Sequence, residues 1–535
     1  MKVYYNGPII TMNDEQKTAE MLIEEGGRIL FVGRALEGRS YIEDGADWID
    51  LQGYTLMPAL LDGHSHFCQT AIAMQTIDLR NAAAHTDIVN LIRRFIKDYD
   101  GMLPRIVMAM SYDHNFLAEH RHPTREVLDA ACSEHPLVAW HVSMHMCCVN
   151  SAMLRLLHIT ADTPDPQGGV IGRIEGSREP NGFLEECACT EVRALTDNEY
   201  KLSPDDLARA EKYYMSNGIL TIQDGACPQE AFDLYKTVNE KGLFNTDIIA
   251  YPCFNFGEGP GTVMEDNPEY RRTYKGHLKI GGYKLLLDGS PQCRSAWMSR
   301  PYEGETDYCG YPWLTDDEVI AAVARAVREK QQILVHCNGD ASSEQFLNAY
   351  EHVMKNYPND AKRHALRPTM IHCQTVREDQ LDRMRALEMI ASVFVGHVYY
   401  WGDVHLVNLG SERAARISPV RSAMERGIVT NFHTDTPVTE PFLFHSVWTA
   451  VNRITRDGNI LGPEQRVEIY DALKAVTINT AYSYFEEDIK GSLSPGKLAD
   501  LIILTANPLT VHKMELQHIK VLECIKEGKT VYTAD

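Results

Sequence analysis

Several features that mark other protein classes are missing from this chain of 535 residues. No apolar run of about 18 residues occurs, so an ordinary transmembrane helix is not expected. The N-terminal segment lacks an apolar core of signal-peptide length. The 13 cysteines are scattered and form no C-x-x-C pair, which argues against a zinc knuckle and favours a reducing compartment. We therefore expect a cytoplasmic protein.

Positive charge is also scarce. Lys and Arg number 52 against 74 Asp and Glu, which gives a net charge of −22. Such an excess of acidic groups disfavours binding to nucleic acid or to an anionic membrane. The 44% hydrophobic and 24% charged residues are typical of a globular protein. We expect neither nucleic acid nor membrane as a partner, and the choice between monomer and homodimer stays open.

The two ends of the chain share a strand-rich pattern. Gly26 and Gly27 separate two short apolar runs, which predicts a hairpin. The C-terminal segment has similar apolar runs with a turn at Gly528. Because an isolated hairpin is only marginally stable, we predict that residues 1–57 and 486–535 build one composite β-sandwich domain.

The middle of the chain alternates strands and helices. After an apolar run at 60–61, strand-like segments occur at 219–224, 247–251, 282–288, 333–336, 369–372, 390–395 and 428–433. One intervening helix begins with a capping box of Thr315 and Glu318. Eight buried strands alternating with helices predict an α/β fold, a TIM-type (β/α)8 barrel over residues 58–485. A large insertion at about 68–215 must then follow the first strand.

Two histidines follow the first predicted strand as His64-Ser65-His66. Residues i and i+2 of a strand project from the same face, so both imidazoles could reach one metal ion. Two surface histidines on a loop are the alternative for an isolated pair of this kind. The strand before them, and the His and Asp residues at later strand ends, favour the metal site.

The ends of the other predicted strands carry further ligand-type side chains. Active sites of (β/α)8 barrels lie at the C-terminal ends of the strands. Those ends carry the candidate set His64, His66, Lys284 or Asp288, His336, His372 and Asp435. Their convergence on one barrel mouth predicts a metal centre.

These segments resemble the amidohydrolase superfamily, and within it the YtcJ-like metal-dependent hydrolases (amidohydrolase family 3). The resemblance rests on residues 57–66, 282–290, 336–340, 371–374, 433–438 and 491–500, which occur in family order over nearly the whole chain. It implies a hydrolase of a non-peptide C–N bond, in an N-acyl, N-formyl or cyclic amide of a small molecule.

The resemblance also implies roles for the candidate residues. His64, His66 and Asp435 would bind a buried metal, and His336 and His372 a more exposed one. Lys284 would bridge them as a carboxylated lysine; a plain ion pair of Lys284 with Asp288 is the alternative and would leave one metal. Zinc is the expected metal, with one or two ions per chain. Asp435 would act as the general base toward a metal-activated hydroxide.

Other predictions concern substrate contacts and alternative activities. Candidate substrate-binding residues are His145, Glu186, Asp288, Gln292 and His397, and a structural hydrogen bond is the alternative for Glu186. The same fold could also carry a deaminase or an ester or lactone hydrolase, because function belongs to the site and not to the fold. A non-catalytic regulatory or binding protein is the third alternative.

Overall fold

The computed structural model describes residues 1–99, 102–167, 169–255, 259–356 and 366–534. The chain divides into two compact units. Unit 1 comprises residues 1–67 and 210–535, and unit 2 comprises residues 68–209. Unit 2 lies within the predicted insertion of about 68–215 and ends at Arg209, inside the helix Pro204–Ser216.

Unit 1 contains a series of parallel strands connected largely by helices, which confirms the predicted α/β class. The strands are Leu60–Leu61, Ile219–Asp224, Asp247–Ala250, Leu278–Ile280, Gly282–Leu286, Gln332–Cys337, Thr369–His372, Ile390–Val393 and Thr430–Phe432. The helices that accompany them are Gln229–Glu240, Gly261–Glu265, Asp316–Arg328, Asp340–Asn356, Glu378–Ala386, His397–Ala415, Val420–Glu425, Leu443–Asn452, Ile469–Ala475 and Ile478–Ser483. The predicted capping box of Thr315 and Glu318 is present.

The parallel strands pair in chain order, in two runs. The first run extends from Leu60–Leu61 to Leu278–Ile280, and the second from Gly282–Leu286 to Thr430–Phe432. Only Gly281 separates the two runs. A Cβ on Gly282 would lie 2.2 Å from the carbonyl oxygen of Gln332, so a glycine is needed where the chain changes pairing partners. A hydrogen bond also connects the first strand of the first run with the last strand of the second. Gly63, just after the strand Leu60–Leu61, donates its N–H to the carbonyl oxygen of Phe432 at 3.1 Å.

The structure corrects one part of the sequence argument. The first parallel strand ends at Leu61, before the two histidines. His66 instead forms an isolated β-bridge with Asp224. The explanation predicted from strand alternation is therefore wrong, because His64 and His66 both lie in a loop after the strand. Contacts with the ends of neighbouring strands hold this loop.

Strands from both chain ends share one sheet. This six-stranded sheet contains Ile9–Asn13, Gln16–Ala19, Thr55–Pro58, Leu501–Leu504, Val521–Lys526 and Lys529–Thr533. A second sheet contains Lys2–Tyr5, Met21–Glu25, Arg28–Gly33 and Asp47–Asp50. Leu22 of the second sheet and Leu56 and Leu501 of the first belong to one buried apolar cluster. The two sheets therefore pack on a common core.

A buried ionic network lies beside this β-structure in unit 1. Both Lys490 and Lys526 donate to the Asp247 carboxylate, the latter at 2.7 Å. His277 donates from Nδ1 to the other oxygen of Asp247 at 2.8 Å. Lys526 also binds Asp500 at 2.8 Å. The network ties the strand Asp247–Ala250 to the C-terminal strands.

Unit 2 is built on a six-stranded mixed sheet. Its strands are Ile77–Asp78, Val107–Tyr112, Leu137–His141, Met146–Val149, Gly169–Arg173 and Pro180–Glu186. Its helices include His85–Asp98, Arg125–Ala131, Ser151–Leu156 and Thr190–Glu199. Val138 and Ala139 belong to different buried clusters, as expected for a sheet covered on both faces.

Within the described parts of the chain, no helix is both long and apolar enough to cross a bilayer.

Candidate metal centre

His64 is held in one orientation by Gln223. The Gln223 amide nitrogen donates to the carbonyl oxygen of Gly63 at 3.0 Å and to the Tyr484 hydroxyl at 2.9 Å. The amide oxygen of Gln223 therefore faces His64 and accepts from its Nδ1–H. This contact fixes the proton on Nδ1 and leaves the Nε2 lone pair free to face the site, as required of a metal ligand.

Asp435 faces both histidines of the first loop. Its Oδ1 lies 3.2 Å from His66 Nε2 and 3.6 Å from His64 Nε2. Burial alone would raise the pKa of Asp435, but nearby histidines, chiefly His372 and His66, outweigh burial and hold that pKa well below its usual range. The carboxylate is therefore ionised at neutral pH.

Lys284 projects from the strand Gly282–Leu286 into the same group. Its Nζ lies 2.8 Å from His64 Nε2, and the residue is 1% exposed. Burial lowers the pKa of Lys284 to about 8, which makes the neutral amine accessible near neutral pH. The structure shows no ion pair between Lys284 and Asp288, both of which lie in described segments.

His336 and His372 form a second group beside the first. His372 Nε2 lies 3.0 Å from His336 Nδ1. On its other side, His372 Nδ1 lies 3.2 Å from His433 Nε2, and His433 Nδ1 lies 2.9 Å from Ser392 Oγ. The ring centroids of His64 and His372 are 6.0 Å apart. The structure thus brings together His64, His66, Lys284, His336, His372 and Asp435.

Asp288 is fully buried and supports the loops around His336. Its carboxylate accepts hydrogen bonds from the backbone N–H groups of Trp297, Asn338 and Gly339 and from the Ser342 hydroxyl. Its Oδ1 lies 3.6 Å from His336 Nε2. Through these contacts the Asp288 carboxylate holds the segments around His336 in place. A direct contact of Asp288 with substrate stays a prediction.

Gln292 and His397 also lie in unit 1, and His397 lies near the second group. The His397 ring is 5.8 Å from that of His372, and the residue is 3% exposed. Three buried side-chain oxygens here have no hydrogen-bond partner among the described residues: Ser290 Oγ, Gln292 Oε1 and Asn338 Oδ1. Asn338 also contacts His336 Nε2 through its amide nitrogen at 3.1 Å. Unsatisfied buried oxygens are costly and are expected where a ligand completes the hydrogen bonding.

The remaining two candidates belong to unit 2. His145 Nδ1 lies 3.3 Å from Glu186 Oε2, so the two side chains pair with each other, and their role toward a substrate stays a prediction.

Sequence reasoning did not single out two residues of the centre. Gln223 fixes the tautomer of His64, and His433 joins His372 to Ser392. A signal for His433 was present, since it stands two residues before Asp435, the same spacing as in the pair His64 and His66. Gln223 carries no local signal, because its role depends on a contact with His64, which lies in a loop 159 residues away.

Comparisons with known proteins agree on one family. The sequence model described as "Amidohydrolase family" matches residues 47–532. The N-substituted formamide deformylase of Arthrobacter pascens is 26% identical over 541 residues, covering 98% of this chain and 97% of that protein. Protein LONG AFTER FAR-RED 3 of Arabidopsis thaliana is 26% identical over 546 residues, covering 98% and 91%.

A solved structure agrees in fold. The crystal structure of an uncharacterized metal-dependent hydrolase from Pyrococcus horikoshii matches with a TM-score of 0.76 and 24% identity. The match covers 96% of this chain and 99% of that chain.

Proposed function

This chain belongs to the amidohydrolase family, and on that premise we propose that it is a metal-dependent hydrolase of a non-peptide C–N bond in a small molecule. The convergence of His64, His66, Lys284 and Asp435 on one buried point carries the proposal. The relative named N-substituted formamide deformylase suggests the substrate class. An N-formyl or other N-acyl amine is therefore the first choice, with cyclic amides next.

The architecture proposed for this function is a closed (β/α)8 barrel. The hydrogen bond from Gly63 to Phe432 supports closure, with Leu278–Ile280 and Gly282–Leu286 counted as one strand. Residues 58–485 would form the catalytic domain, interrupted by the insertion, and residues 1–57 and 486–535 the β-sandwich. The sheet shared by both chain ends supports that division.

The donor atoms of the centre fit a divalent cation. One side-chain donor atom each from His64, His66 and Asp435 lies within 4.8 Å of the other two. Two imidazoles and a carboxylate are a donor set typical of zinc. His336 and His372 would hold a second cation, and Lys284, whose lowered pKa favours the amine that reacts with carbon dioxide, would bridge as its carbamate. One or two ions per chain are compatible with this set.

The chemistry divides between the cation and the protein. A divalent cation supplies Lewis acidity, which lowers the pKa of a water molecule and polarises a carbonyl group. Asp435, ionised at neutral pH, accepts the proton of the attacking water on a carboxylate oxygen and returns it to the leaving nitrogen. Gln223 keeps the proton of His64 on Nδ1 throughout. Gln292 and His397 contact the substrate, and the unpaired oxygen of Gln292 supports its role.

An activity panel tests the proposal. Zinc-loaded protein is assayed against N-substituted formamides, N-acyl amino acids and cyclic amides, with release of amine or ring-opened product as the readout. Amino-heterocycles, esters and lactones form separate arms. Asp435→Asn should lower turnover by about 10²–10⁴-fold, whereas Asp382→Asn, the same change at a side chain that is 68% exposed, should leave turnover unchanged. Turnover confined to the heterocycle or ester arms would reject C–N amide hydrolysis.

A further inference from the structure

A second group of metal-ligand side chains lies within unit 2. Asp113 and His114 directly follow the strand Val107–Tyr112, and His141 ends the neighbouring strand Leu137–His141. The two strands are parallel, and Tyr112 pairs with His141. Because the C-terminal ends of parallel neighbours meet at one edge of a sheet, the three side chains converge there.

The three donor atoms form a small triangle. His114 Nδ1 lies 3.2 Å from His141 Nε2. Asp113 Oδ1 lies 3.8 Å from His114 Nδ1 and 3.6 Å from His141 Nε2. The point equidistant from the three atoms is about 2.1 Å from each, which matches the 2.0–2.2 Å of zinc–nitrogen and zinc–oxygen bonds. A cation fits there with little movement of the ligands.

Burial prepares these groups to bind a cation. The side chain of His141 is fully buried and that of Asp113 is 5% exposed. A cation between these donors is therefore largely shielded from solvent, and two imidazoles with one carboxylate are a donor set typical of zinc.

Outer contacts hold the three ligands in place. The His122 ring stacks on the His114 ring at 4.1 Å, and the Tyr112 hydroxyl contacts His122 Nδ1 at 2.9 Å. Asn115 donates its backbone N–H and its amide N–H to Asp113 Oδ1. Partners of this kind orient the ligands of metal sites.

Ser143 controls the proton of His141. Its backbone N–H donates to His141 Nδ1 at 3.1 Å, and its hydroxyl lies 2.9 Å from the same nitrogen. Without a cation, the proton of His141 therefore sits on Nε2. A cation at Nε2 moves the proton to Nδ1, where the Ser143 hydroxyl can accept it, and the hydrogen bond from the Ser143 backbone N–H to Nδ1 is then lost.

We propose that Asp113, His114 and His141 bind one first-row divalent cation of the zinc class. None of these residues belongs to the proposed catalytic set. The cation joins the segment that follows one strand to the end of its neighbour. Its role is to fix this edge of the unit 2 sheet.

Metal analysis of the full chain tests the proposal. Wild type, Asp113→Asn, His114→Ala and His66→Ala are each equilibrated with Zn²⁺, dialysed and analysed for zinc per chain. Asp113→Asn and His114→Ala should each lose one zinc per chain. His120→Ala is the matched control, because it removes an imidazole from the same segment outside the triangle, and it should keep the wild-type content.

The outcomes separate this site from the catalytic one. Wild-type zinc content in both Asp113→Asn and His114→Ala would overturn the second site, whatever His66→Ala shows. Loss in His114→Ala together with wild-type content in His66→Ala would support the second site and reject the proposed catalytic ligands. A measurement that needs no variant is anomalous diffraction at the zinc edge from wild-type crystals grown with Zn²⁺. A peak among the three side chains supports the proposal, and its absence overturns it.

Discussion

The contact between His433 and His372 predicts that His433 positions a metal ligand. Burial lowers the pKa of His433 to about 3, so the ring is neutral and carries one proton. If His372 binds a cation through Nε2, its Nδ1–H must donate to His433 Nε2, and His433 Nδ1–H must then donate to Ser392 Oγ. The chain of hydrogen bonds fixes both the plane and the tautomer of His372.

Three substitutions along this chain of hydrogen bonds should weaken cation binding to different extents. Ser392→Ala removes only the outer hydrogen bond, worth about 0.5–1.5 kcal/mol, or roughly a 2- to 12-fold loss of cation affinity. His433→Phe keeps a ring beside Phe394 but removes the acceptor for His372. Loss of such a partner typically weakens metal binding by about 10- to 100-fold. His433→Gln can return an oxygen to the position of Nε2 and should recover part of the loss.

A competition titration with a chromophoric chelator measures the cation dissociation constant of each variant. Thermal unfolding of the metal-free proteins reports any separate loss of stability. Ser422→Ala is the matched control, since it deletes a buried hydroxyl that bonds Gln465 and Glu378 on an outer helix. Wild-type affinity in His433→Phe, or equal losses in Ser392→Ala and Ser422→Ala, would refute the reasoning.

Two further predictions concern Lys284 and Asp247. Lys284→Ala should lower metal content and activity, with partial rescue by acetate or propionate in the place of the carbamate; an unchanged metal content would exclude the bridge. Burial tends to raise the pKa of Asp247, but Lys490, Lys526 and His277 hold that pKa well below its usual range. The ionised Asp247 therefore stabilises the folded protein at neutral pH, and this stabilisation is lost as the pH falls below about 4 toward the folded-state pKa. Asp247→Asn leaves buried ammonium groups unpaired and should cost about 3–5 kcal/mol at pH 7, with a smaller further loss on acidification. Urea unfolding from pH 7 to 3 checks this, and equal pH slopes for variant and wild type would contradict it.

Sequence patterns could predict the α/β class because its signals are local. Capping at Thr315 and apolar runs of strand length each depend on a few adjacent residues. The candidate ligands were identifiable for the same reason, since each follows a strand-like run. The sheet of unit 2 was not predicted, because its strands pair across connections that carry no periodic signal.

The parts of the site that escaped prediction are those that depend on distant contacts. The reason given for His64 and His66 failed, since the strand ends at Leu61 and loop contacts place them. Gln223 acts through its side-chain oxygen on the ring of His64, which lies in a loop distant in sequence. The substrate contact expected of Asp288 stays a prediction, but its four hydrogen-bond donors, which come from Trp297 and from residues 338–342, were not predicted because no local pattern encodes their approach.

Burial explains why one environment suits three different ligand types. It lowers the pKa of His64 and His372, so each imidazole keeps a lone pair, and it lowers the pKa of Lys284 toward that of a reactive amine. Burial alone would raise the pKa of the Asp435 carboxyl group, but the surrounding histidines, chiefly His372 and His66, outweigh burial and hold that pKa well below its usual range. Asp435 is therefore the ligand most dependent on its neighbours. Replacing a histidine of the centre should accordingly weaken both metal binding and the proton transfer assigned to Asp435.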